Sequence, residues 1–543
     1  MPSRRRFLAA SAAAALAACA PRVRPAGPGR KLIIRNGTVV DGTGSPRFTA
    51  DVLIEGDRIA AIGPALSVRA AAEYDARGMV VSPGFVDIHS HGEGSLFRDP
   101  MAESVIRQGL TTIVVGQDGS SRGPRELGDA AERFTSLGRF FAALEREVRP
   151  AANVASMVGL GTVRGNVVGA ANRPATAAEI ARMTGLVEQA LAEGACGAST
   201  GLEYAPGAFA STDELIALCR PLAARRLPYA THMRNEDDTL VEAVDESIAV
   251  ARGAGCALQV SHLKTSGARN FHKIDDVFAH LDAARRAGLD VTFDRYPYVA
   301  YSTGLSNVFP VWALDGGNAA FVARLTGPAT AARLRAESEA KAATVGGWRN
   351  VVVSGVSNDL DRAAEGKRID ELAAAASVAP YDVAVGLLQR NGGDVGTVVF
   401  AMSEENLQRF LAHSLGMVCS DGGAFAVSGP ARTGHPHPRG LGTFPRVLGR
   451  YVRETKTLTL EQAVRKMTGM PAERLRLADI GVLRPGASAD VVVFDPETVA
   501  DKATFAEPFQ YPVGIRLVVV NGEIALREGE RSAVRAGRVL RPA

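Results

Sequence analysis

The feature that most constrains the fold is a regular alternation between about residues 84 and 478. Short apolar runs, such as 228–232 and 257–262, alternate with stretches in which apolar residues recur at helical spacing, such as 239–254. Repeated β-then-α units predict parallel strands, because parallel neighbours need a long crossover and cannot be joined by a tight turn. At this length a closed (β/α)8 barrel is favoured over an open sheet.

Both ends of the chain have a different texture, with short strand patterns separated by turn residues. Asn36-Gly37 is one of the turn pairs that separate them, and Asn521-Gly522 is a strong hairpin turn. We therefore expect an α/β protein in which 27–82 and 479–543 form one small β-sandwich and 83–478 form the barrel. Residues near 305–350 break the barrel rhythm and predict an insertion that covers its mouth.

Residues 1–26 predict a targeting segment that is not part of the fold. Arg4 and Arg5 fit the twin-arginine export pattern, and Cys19 follows an Ala/Leu-rich stretch at the position a bacterial lipobox requires. That stretch is too short to span a bilayer as a mature helix. We expect a periplasmic or cell-envelope lipoprotein whose membrane contact is a lipid anchor. The alternative is a plain signal peptide in which Cys19 is incidental.

Composition excludes several classes of function. The formal net charge is +4 over 543 residues, with no basic block beyond the extreme N-terminus, so nothing indicates a nucleic-acid partner. The five cysteines include no C-x-x-C pair, which argues against a disulfide framework and a thiolate zinc site.

Possible metal ligands directly follow the apolar runs. In a βα barrel the carboxyl ends of all strands meet at one mouth, where the chemistry takes place. Of nine histidines, four occupy such positions, and so does one carboxylate: His89, His91, His232, His262 and Asp421. Histidines two residues apart on a strand face the same way. Imidazoles and a carboxylate can hold a divalent ion and leave a coordination position for water.

This residue set predicts hydrolysis of an amide or cyclic amide. A bound divalent ion lowers the pKa of its water and polarises a substrate carbonyl. Asp421, after the last strand, can accept the proton of the attacking water and deliver it to the leaving nitrogen.

Longer motifs surround these residues. They are Val81-Ser-Pro-Gly-Phe-Val-Asp-Ile-His-Ser-His91, Gly201-Leu-Glu-Tyr-Ala-Pro206, Tyr229-Ala-Thr-His-Met-Arg234, Val260-Ser-His-Leu-Lys264, Asp294-Arg-Tyr-Pro-Tyr298, Ser302-Thr-Gly304, Ser420-Asp-Gly422 and Gly442-Thr-Phe-Pro-Arg446. Together they resemble the metal-dependent amidohydrolases, and within them the D-aminoacylases (N-acyl-D-amino-acid deacylases), over about residues 31–523. That family has a βα barrel with a small β-sandwich formed by both ends of the chain.

The resemblance implies one or two divalent ions, normally zinc, and a role for each matching residue. His232 and His262 would bind the tightly held ion, while His89 and His91 would contribute to a weaker position beside the general acid/base Asp421. Three further residues would hold the substrate carboxylate: Lys264, Tyr298 and Ser302. A cation with two hydroxyls is chemically suited to that task.

One position departs from the family pattern. D-aminoacylases typically have Asn-Cys-Gly after the second strand, with the thiolate binding zinc, whereas this chain has Gln117-Asp118-Gly119. Our hypothesis is that Asp118 is a carboxylate ligand that can bridge two ions and shift the metal preference away from zinc. The alternative is that Asp118 turns outward and histidines alone bind the metal.

The predicted function is metal-dependent hydrolysis of N-acyl-D-amino acids, with a small N-acyl amino acid as partner and the oligomeric state left open. Two alternatives remain. One is a cyclic-amide hydrolase or dipeptidase on the same scaffold. The other is a lipid-anchored binding protein that has lost catalysis, against which the retention of Asp421 and the four strand-end histidines argues.

Overall fold

The computed structural model describes residues 31–125 and 134–543. The targeting segment predicted for residues 1–26, including Cys19, lies outside the described residues. The strands are, in chain order, β1 (Lys31–Val39), β2 (Phe48–Glu55), β3 (Arg58–Gly63), β4 (Ala72–Asp75), β5 (Val80–Pro83), β6 (Phe85–Asp87), β7 (Leu110–Val115), β8 (Asn153–Ser156), β9 (Val158–Gly159), β10 (Ala198–Gly201), β11 (Pro228–His232), β12 (Ala257–Val260), β13 (Val291–Arg295), β14 (Ala300–Gly304), β15 (Val351–Val356), β16 (Val395–Phe400), β17 (Gly416–Val418), β18 (Val491–Phe494), β19 (Ile515–Val520), β20 (Glu523–Arg527) and β21 (Glu530–Arg531).

The α-helices are α1 (Glu103–Arg107), α2 (Leu137–Ala143), α3 (Leu160–Val167), α4 (Ala177–Ala192), α5 (Thr212–Arg225), α6 (Leu240–Ala254), α7 (Ile274–Arg286), α8 (Asn318–Leu325), α9 (Ala331–Thr344), α10 (Ile369–Ala376), α11 (Pro380–Arg390), α12 (Glu404–Ala412), α13 (Arg439–Arg446), α14 (Leu460–Met467) and α15 (Gly469–Arg474). Local sequence explains several of their ends. Thr176 and Glu179 form a capping box that starts α4, and Gly255 ends α6 in the left-handed conformation that glycine adopts without strain.

Parallel strands form the barrel. They lie in two hydrogen-bonded groups, β6-β7-β8 and β9-β10-β11-β12-β13-β17, and β8 and β9 share one position around the axis. The last strand meets the first where Asp421 N donates to His89 O at 2.8 Å and His91 N donates to Gly422 O at 2.9 Å. The predicted (β/α)8 fold is confirmed. Strands β7 and β11 are buried along their whole length, as expected when helices cover a parallel sheet.

The two ends of the chain form one sheet, in agreement with the predicted terminal β-structure. Its order is β21-β20-β19-β18-β5-β1-β2-β3, with β4 also paired to β1. Strand β5 ends at Pro83 and the first barrel strand starts at Phe85. Gly84 is required between them, because a Cβ there would lie 2.1 Å from Thr111 Oγ1.

The insertion is longer than the predicted 305–350. Its antiparallel sheet, β14-β16-β15, begins at Ala300 and ends at Phe400. It packs with α8–α11 around a separate core that contains Phe321, Trp348 and Tyr381. The second half escaped prediction because the apolar runs of β15 and β16 have the pattern of barrel strands. Across the described ranges, no single helix is long and apolar enough to span a bilayer; α10 and α11 pass that test only together, bent by 99°.

Candidate metal centre

The predicted metal-binding and catalytic residues come from five barrel strands and meet at the carboxyl-end mouth. All lie at, or within four residues beyond, a strand end: His89 and His91 after β6, Asp118 after β7, His232 in β11, His262 after β12 and Asp421 after β17. The expectation that strand ends bring these side chains together therefore agrees with the geometry.

Four of the residues form a first group of possible ligands. His89, His91, Asp118 and Asp421 each offer an atom, and these atoms lie within 4.8 Å of one another. His89 Nε2 is 3.5 Å from Asp118 Oδ1 and 3.6 Å from Asp421 Oδ1. His91 Nε2 is 3.4 Å from Asp118 Oδ2 and 3.1 Å from Asp421 Oδ1.

A second group shares Asp118 with the first and adds His232 and His262. Asp118 Oδ2 is 3.4 Å from His262 Nε2 and 4.0 Å from His232 Nδ1, and the two imidazole nitrogens are 3.1 Å apart. Asp118 thus lies between both groups and does not turn outward. A carboxylate in this position can contribute one oxygen to each of two ions.

The residues fit a divalent ion. Nε2 of His89 and Oδ1 of Asp118, which face each other across the cluster, are buried without a hydrogen-bond partner, a costly state for polar atoms. Ligand atoms at zinc distances around a tetrahedral ion lie about 3.3–3.5 Å apart. The observed separations of 3.1–4.0 Å bracket that value, so they are close to those of a ligand shell.

Opposite charges outweigh burial in this cluster. Burial acts to lower the pKa of His91, but hydrogen bonds to Asp118 and Asp421 raise it to about 9. Burial acts to raise the pKa of Asp118, yet His89 and His262 hold it well below its usual range. The pKa of Asp421 is also low, because Arg439 and His89 overcome its burial. Both carboxylates are therefore anionic at neutral pH, as cation binding requires.

The outer nitrogens of the buried histidines face carboxylates, an arrangement that fixes the orientation of metal-binding imidazoles. The pairs are His89 Nδ1 with Asp294 Oδ1 at 3.5 Å, His232 Nε2 with Glu203 Oε2 at 3.5 Å and His262 Nδ1 with Glu236 Oε1 at 3.1 Å. Sequence reasoning did not select these acids. Glu203 and Glu236 lie two and four residues beyond strand ends, so the strand-end rule applied to acids would have found them.

Three residues of the cluster have left-handed backbone conformations, which non-glycine residues adopt rarely. The φ angles are 50° at Asp118, 35° at His262 and 51° at Asp421. Such conformations cost on the order of 1–3 kcal/mol each and persist where the surrounding structure enforces them. The backbone hydrogen bond between Asp421 and His89 is one such restraint.

A small recess adjoins the cluster. Its volume is about 30 Å³, and Lys264, Ser302 and Tyr296 line it with Asp118 and Asp421. Lys264 Nζ is 2.6 Å from both Glu236 oxygens and 2.8 Å from His262 Nδ1. Two of the three predicted substrate-binding residues, Lys264 and Ser302, therefore border the recess.

Tyr298 is placed elsewhere. Its hydroxyl is 3.5 Å from Asp501 Oδ2, and the guanidinium of Arg446 lies over its ring at 4.7 Å. The recess instead contains Tyr296, whose hydroxyl has no hydrogen-bond partner. Alternation along a strand would direct both tyrosines the same way, but β13 ends at Arg295 and the chain then turns, with Tyr298 N donating to Tyr296 O.

Arg439 is a further site residue that sequence reasoning did not commit to. Its Nη1 donates to Asp421 Oδ2 at 2.7 Å, and its guanidinium lies 4.7 Å from the centre of the Tyr296 ring. It starts α13, and no local sequence pattern distinguishes it from an ordinary surface arginine. Lys341 reaches the recess from the insertion, where its Nζ is 2.6 Å from Asp237 Oδ2.

Comparison with known proteins agrees with this geometry. Residues 430–526 match the model of the amidohydrolase family. The chain is 38% identical over 520 residues to a D-aminoacylase from Alcaligenes xylosoxydans xylosoxydans, with 94% of this chain and 97% of the relative covered. The chain belongs to the D-aminoacylase family of amidohydrolases.

Solved structures of this family extend the comparison. An N-acyl-D-glutamate deacylase from Bordetella bronchiseptica, complexed with zinc and a phosphonate mimic of the tetrahedral intermediate, is 36% identical with a TM-score of 0.81 over 94% of this chain and 99% of that one. A D-aminoacylase described as having a binuclear metal centre, with one-metal activation and second-metal attenuation, is 36% identical with a TM-score of 0.80 over 95% of this chain and 100% of that one.

Proposed function

We propose that this amidohydrolase cleaves the amide bond of N-acyl-D-amino acids, releasing a carboxylate and a free D-amino acid. The observation that carries the proposal is the pair of ligand groups that share Asp118 and lie against Asp421. The relatives that act on N-acyl-D-amino acids match this chain over nearly its whole length.

His232, His262 and Asp118 would hold one divalent ion, and His89 and His91 with Asp118 would hold a second. When bound, such an ion supplies an acidified water and polarises the scissile carbonyl. Zinc is the ion in the relative with the phosphonate inhibitor. Because Asp118 offers oxygen where the family has sulfur, we propose that this chain also accepts harder ions such as manganese or cobalt.

Asp421 is suited to transfer the proton. Its Oδ2 accepts from Arg439, which leaves Oδ1 directed at the histidine pair. Its low pKa keeps it anionic, so it can take the proton of the attacking water on Oδ1 and deliver it to the leaving nitrogen. Arg439 keeps the carboxylate in one orientation during both transfers.

The recess is suited to the substrate carboxylate. Its volume of about 30 Å³ is enough for a small charged group. Lys264 supplies a buried cation there, with the Ser302 and Tyr296 hydroxyls beside it. A substrate carboxylate would compete with Glu236 for the hydrogen bonds of Lys264.

The test is an assay of the purified, metal-quantified protein on paired N-acetyl-D and N-acetyl-L amino acids, with hydantoins as cyclic amides. We expect hydrolysis in the D series. Hydrolysis confined to the L series, or to hydantoins, would overturn the proposal. Absence of both bound metal and turnover would favour the inactive binding protein.

We also propose that the protein is exported by the twin-arginine route and anchored by lipid at Cys19. The support is the sequence of residues 1–26 alone. Replacing Arg4 and Arg5 by lysine should retain the protein in the cytoplasm, and Cys19→Ala should release it from the membrane fraction. Unchanged fractionation of both variants would contradict the proposal.

A further inference from the structure

Two cavities of very different size border the metal centre. One is the recess, with a volume of about 30 Å³. The other, called the outer cavity below, has a volume of about 1010 Å³ and lies between the barrel loops and the insertion. Asp118, Ser302 and Asp421 border both, so a substrate whose scissile bond lies at these residues extends into both cavities.

The outer cavity is far larger than an acetyl group requires. Pockets of about 300–1,000 Å³ typically enclose whole drug-sized ligands. Another cavity, of about 420 Å³, adjoins the recess at Glu203 and Lys341 but does not reach Asp118 or Asp421. If the recess takes the carboxylate of the amino acid, the acyl portion, beyond the scissile bond at Asp421, therefore lies in the larger cavity that Asp421 also borders. The outer cavity then has room for an acyl group of several residues.

The lining of the outer cavity indicates the chemistry of that group. Most of its residues are glycines or carry hydroxyl, amide or charged groups. The cavity has two walls. Barrel loops contribute the hydroxyls of Ser95, Ser120 and Thr162, and the opposite wall, formed by the insertion and the loop after β17, contributes those of Ser354, Ser357 and Thr433. Thr162 and Ser357 already bond to Ser121 and Asn391. The other four hydroxyls can bond to peptide N–H and C=O groups, whereas a long alkyl chain would bury them without partners.

Charged residues also line the cavity away from the metal centre. Arg98 and Arg125 lie on the barrel side, and Glu365 and Asp394 lie on the insertion side. Nε of Arg125 is buried without a hydrogen-bond partner, and burial together with nearby Arg122 lowers the pKa of Arg125. A ligand with a free amine and carbonyl or carboxylate oxygens matches this distribution.

We propose that the acyl portion of the substrate is a hydrophilic, peptide-sized group, so that the enzyme removes a D-amino acid from the carboxyl end of a short peptide. The inference rests on the proposed function and specifies its substrate class. The peptide C–N bond breaks, a C–O bond forms with the oxygen of water, and the proton of that water goes to the released amine.

The first experiment compares three acyl groups on the same D-amino acid, in parallel series for D-alanine, D-leucine and D-glutamate. The groups are acetyl, glycylglycyl and octanoyl. We expect kcat/KM to be at least about tenfold higher for glycylglycyl than for acetyl or octanoyl substrates. Hydrolysis of acetyl substrates with no gain for glycylglycyl overturns the inference and leaves the proposed function standing. A preference for octanoyl identifies an acylated lipid-like substrate and also overturns it. No hydrolysis of any of them overturns both.

Two glycines allow the cavity to be narrowed without backbone strain. A Cβ at Gly165, in α3, would meet only Pro206 Cγ at 3.7 Å, and a Cβ at Gly355 would meet nothing within 4 Å. Both glycines line the outer cavity, from opposite walls. Gly165→Leu and Gly355→Leu should each lower the ratio of glycylglycyl to acetyl kcat/KM by about tenfold.

Gly185→Leu is the matched control. Gly185 is an exposed helical glycine in α4, also with nothing within 4 Å of a Cβ, and it lies away from the cavity. This variant should leave the ratio unchanged. Metal content and melting temperature of all three variants establish that they are folded. An unchanged ratio in both folded cavity variants would contradict the inference.

Discussion

Two buried carboxylates in the metal centre at the mouth of this barrel, and one at its base, behave in opposite ways. At the mouth, Asp118 and Asp421 have strongly lowered pKa values. At the base, Asp490 is 3% exposed, and burial raises its pKa to about 6. It accepts hydrogen bonds from Asn521 N at 2.8 Å and from Asn153 Nδ2 at 3.1 Å.

The difference lies in the groups that face each carboxylate. Imidazoles and a guanidinium surround Asp118 and Asp421, so charge interactions outweigh burial. Neutral amides are the hydrogen-bond donors to Asp490, so burial prevails. At the base, the side chains of Asn153, Asp490 and Asn521 bond to one another. At the mouth, His89 and Asp118 have buried polar atoms without hydrogen-bond partners. The metal centre therefore differs from the base in its unpartnered polar atoms and its charged neighbours, and not in the burial of its carboxylates.

The largest expected difference is between Asp→Asn substitutions at the mouth and at the base. Asp421→Asn should lower kcat/KM by about a thousandfold or more, because the amide cannot accept the proton of the attacking water. Asp490→Asn should keep kcat/KM within about twofold. Steady-state kinetics on an N-acetyl-D-amino acid, with metal content measured in parallel, checks both. Comparable losses in the two variants would remove the distinction between mouth and base.

Asp118→Ala should chiefly affect metal content. Since Asp118 borders both ligand groups, its loss should lower the bound metal per chain and raise the metal dissociation constant by about 10- to 100-fold or more. Asn153→Ala is the control from the base and should bind metal as the wild type does. Titration of the apoprotein followed by elemental analysis measures this without an activity assay. Unchanged metal content in Asp118→Ala would support binding by histidines alone.

Asn153→Ala should instead lower stability. Asn153 Nδ2 donates to Asp490, and its Oδ1 accepts from Asn521 Nδ2 at 2.7 Å and from Arg538 N at 2.9 Å. Removing these buried hydrogen bonds should reduce the free energy of unfolding by about 3 kcal/mol. Urea denaturation of the holoenzyme measures the change. A loss below about 1 kcal/mol would show that the base network is not structural.

The sequence predicts the mouth better than the base, for a physical reason. Ligands such as His232 and His262 directly follow apolar runs, and barrel topology brings all strand ends together wherever they occur in the chain. Asn153 and Asp490 are 337 residues apart and come from a barrel strand and the terminal sheet, so no local pattern pairs them.

The same reasoning explains which site residues could not be predicted. Arg439 reaches Asp421 from a helix, and Lys341 reaches the recess from the insertion, so neither follows the strand-end rule. The resemblance implied Tyr298 in place of Tyr296, and the turn after β13, which separates the two side chains, is not evident from the Tyr-Pro-Tyr motif.

The smallest expected effect is on the pH dependence of stability. The folded pKa of Asp490, about 6, exceeds an unfolded value of about 3.9, so the folded state binds this proton more tightly. Its contribution is therefore fully present below about pH 4 and is lost as pH rises through 6. Asp490→Asn cannot titrate, so its stability relative to wild type should increase by about 2 kcal/mol between pH 4 and pH 7, at about 1.4 kcal/mol per pKa unit.

Urea denaturation of both proteins across this range isolates Asp490, because the titration of the histidines at the mouth is common to both and cancels in the difference. If the difference in unfolding free energy between the two proteins does not change with pH, the Asp490 carboxylate keeps its ordinary pKa despite burial. The two ends of the barrel would then differ only in whether their buried polar atoms have hydrogen-bond partners.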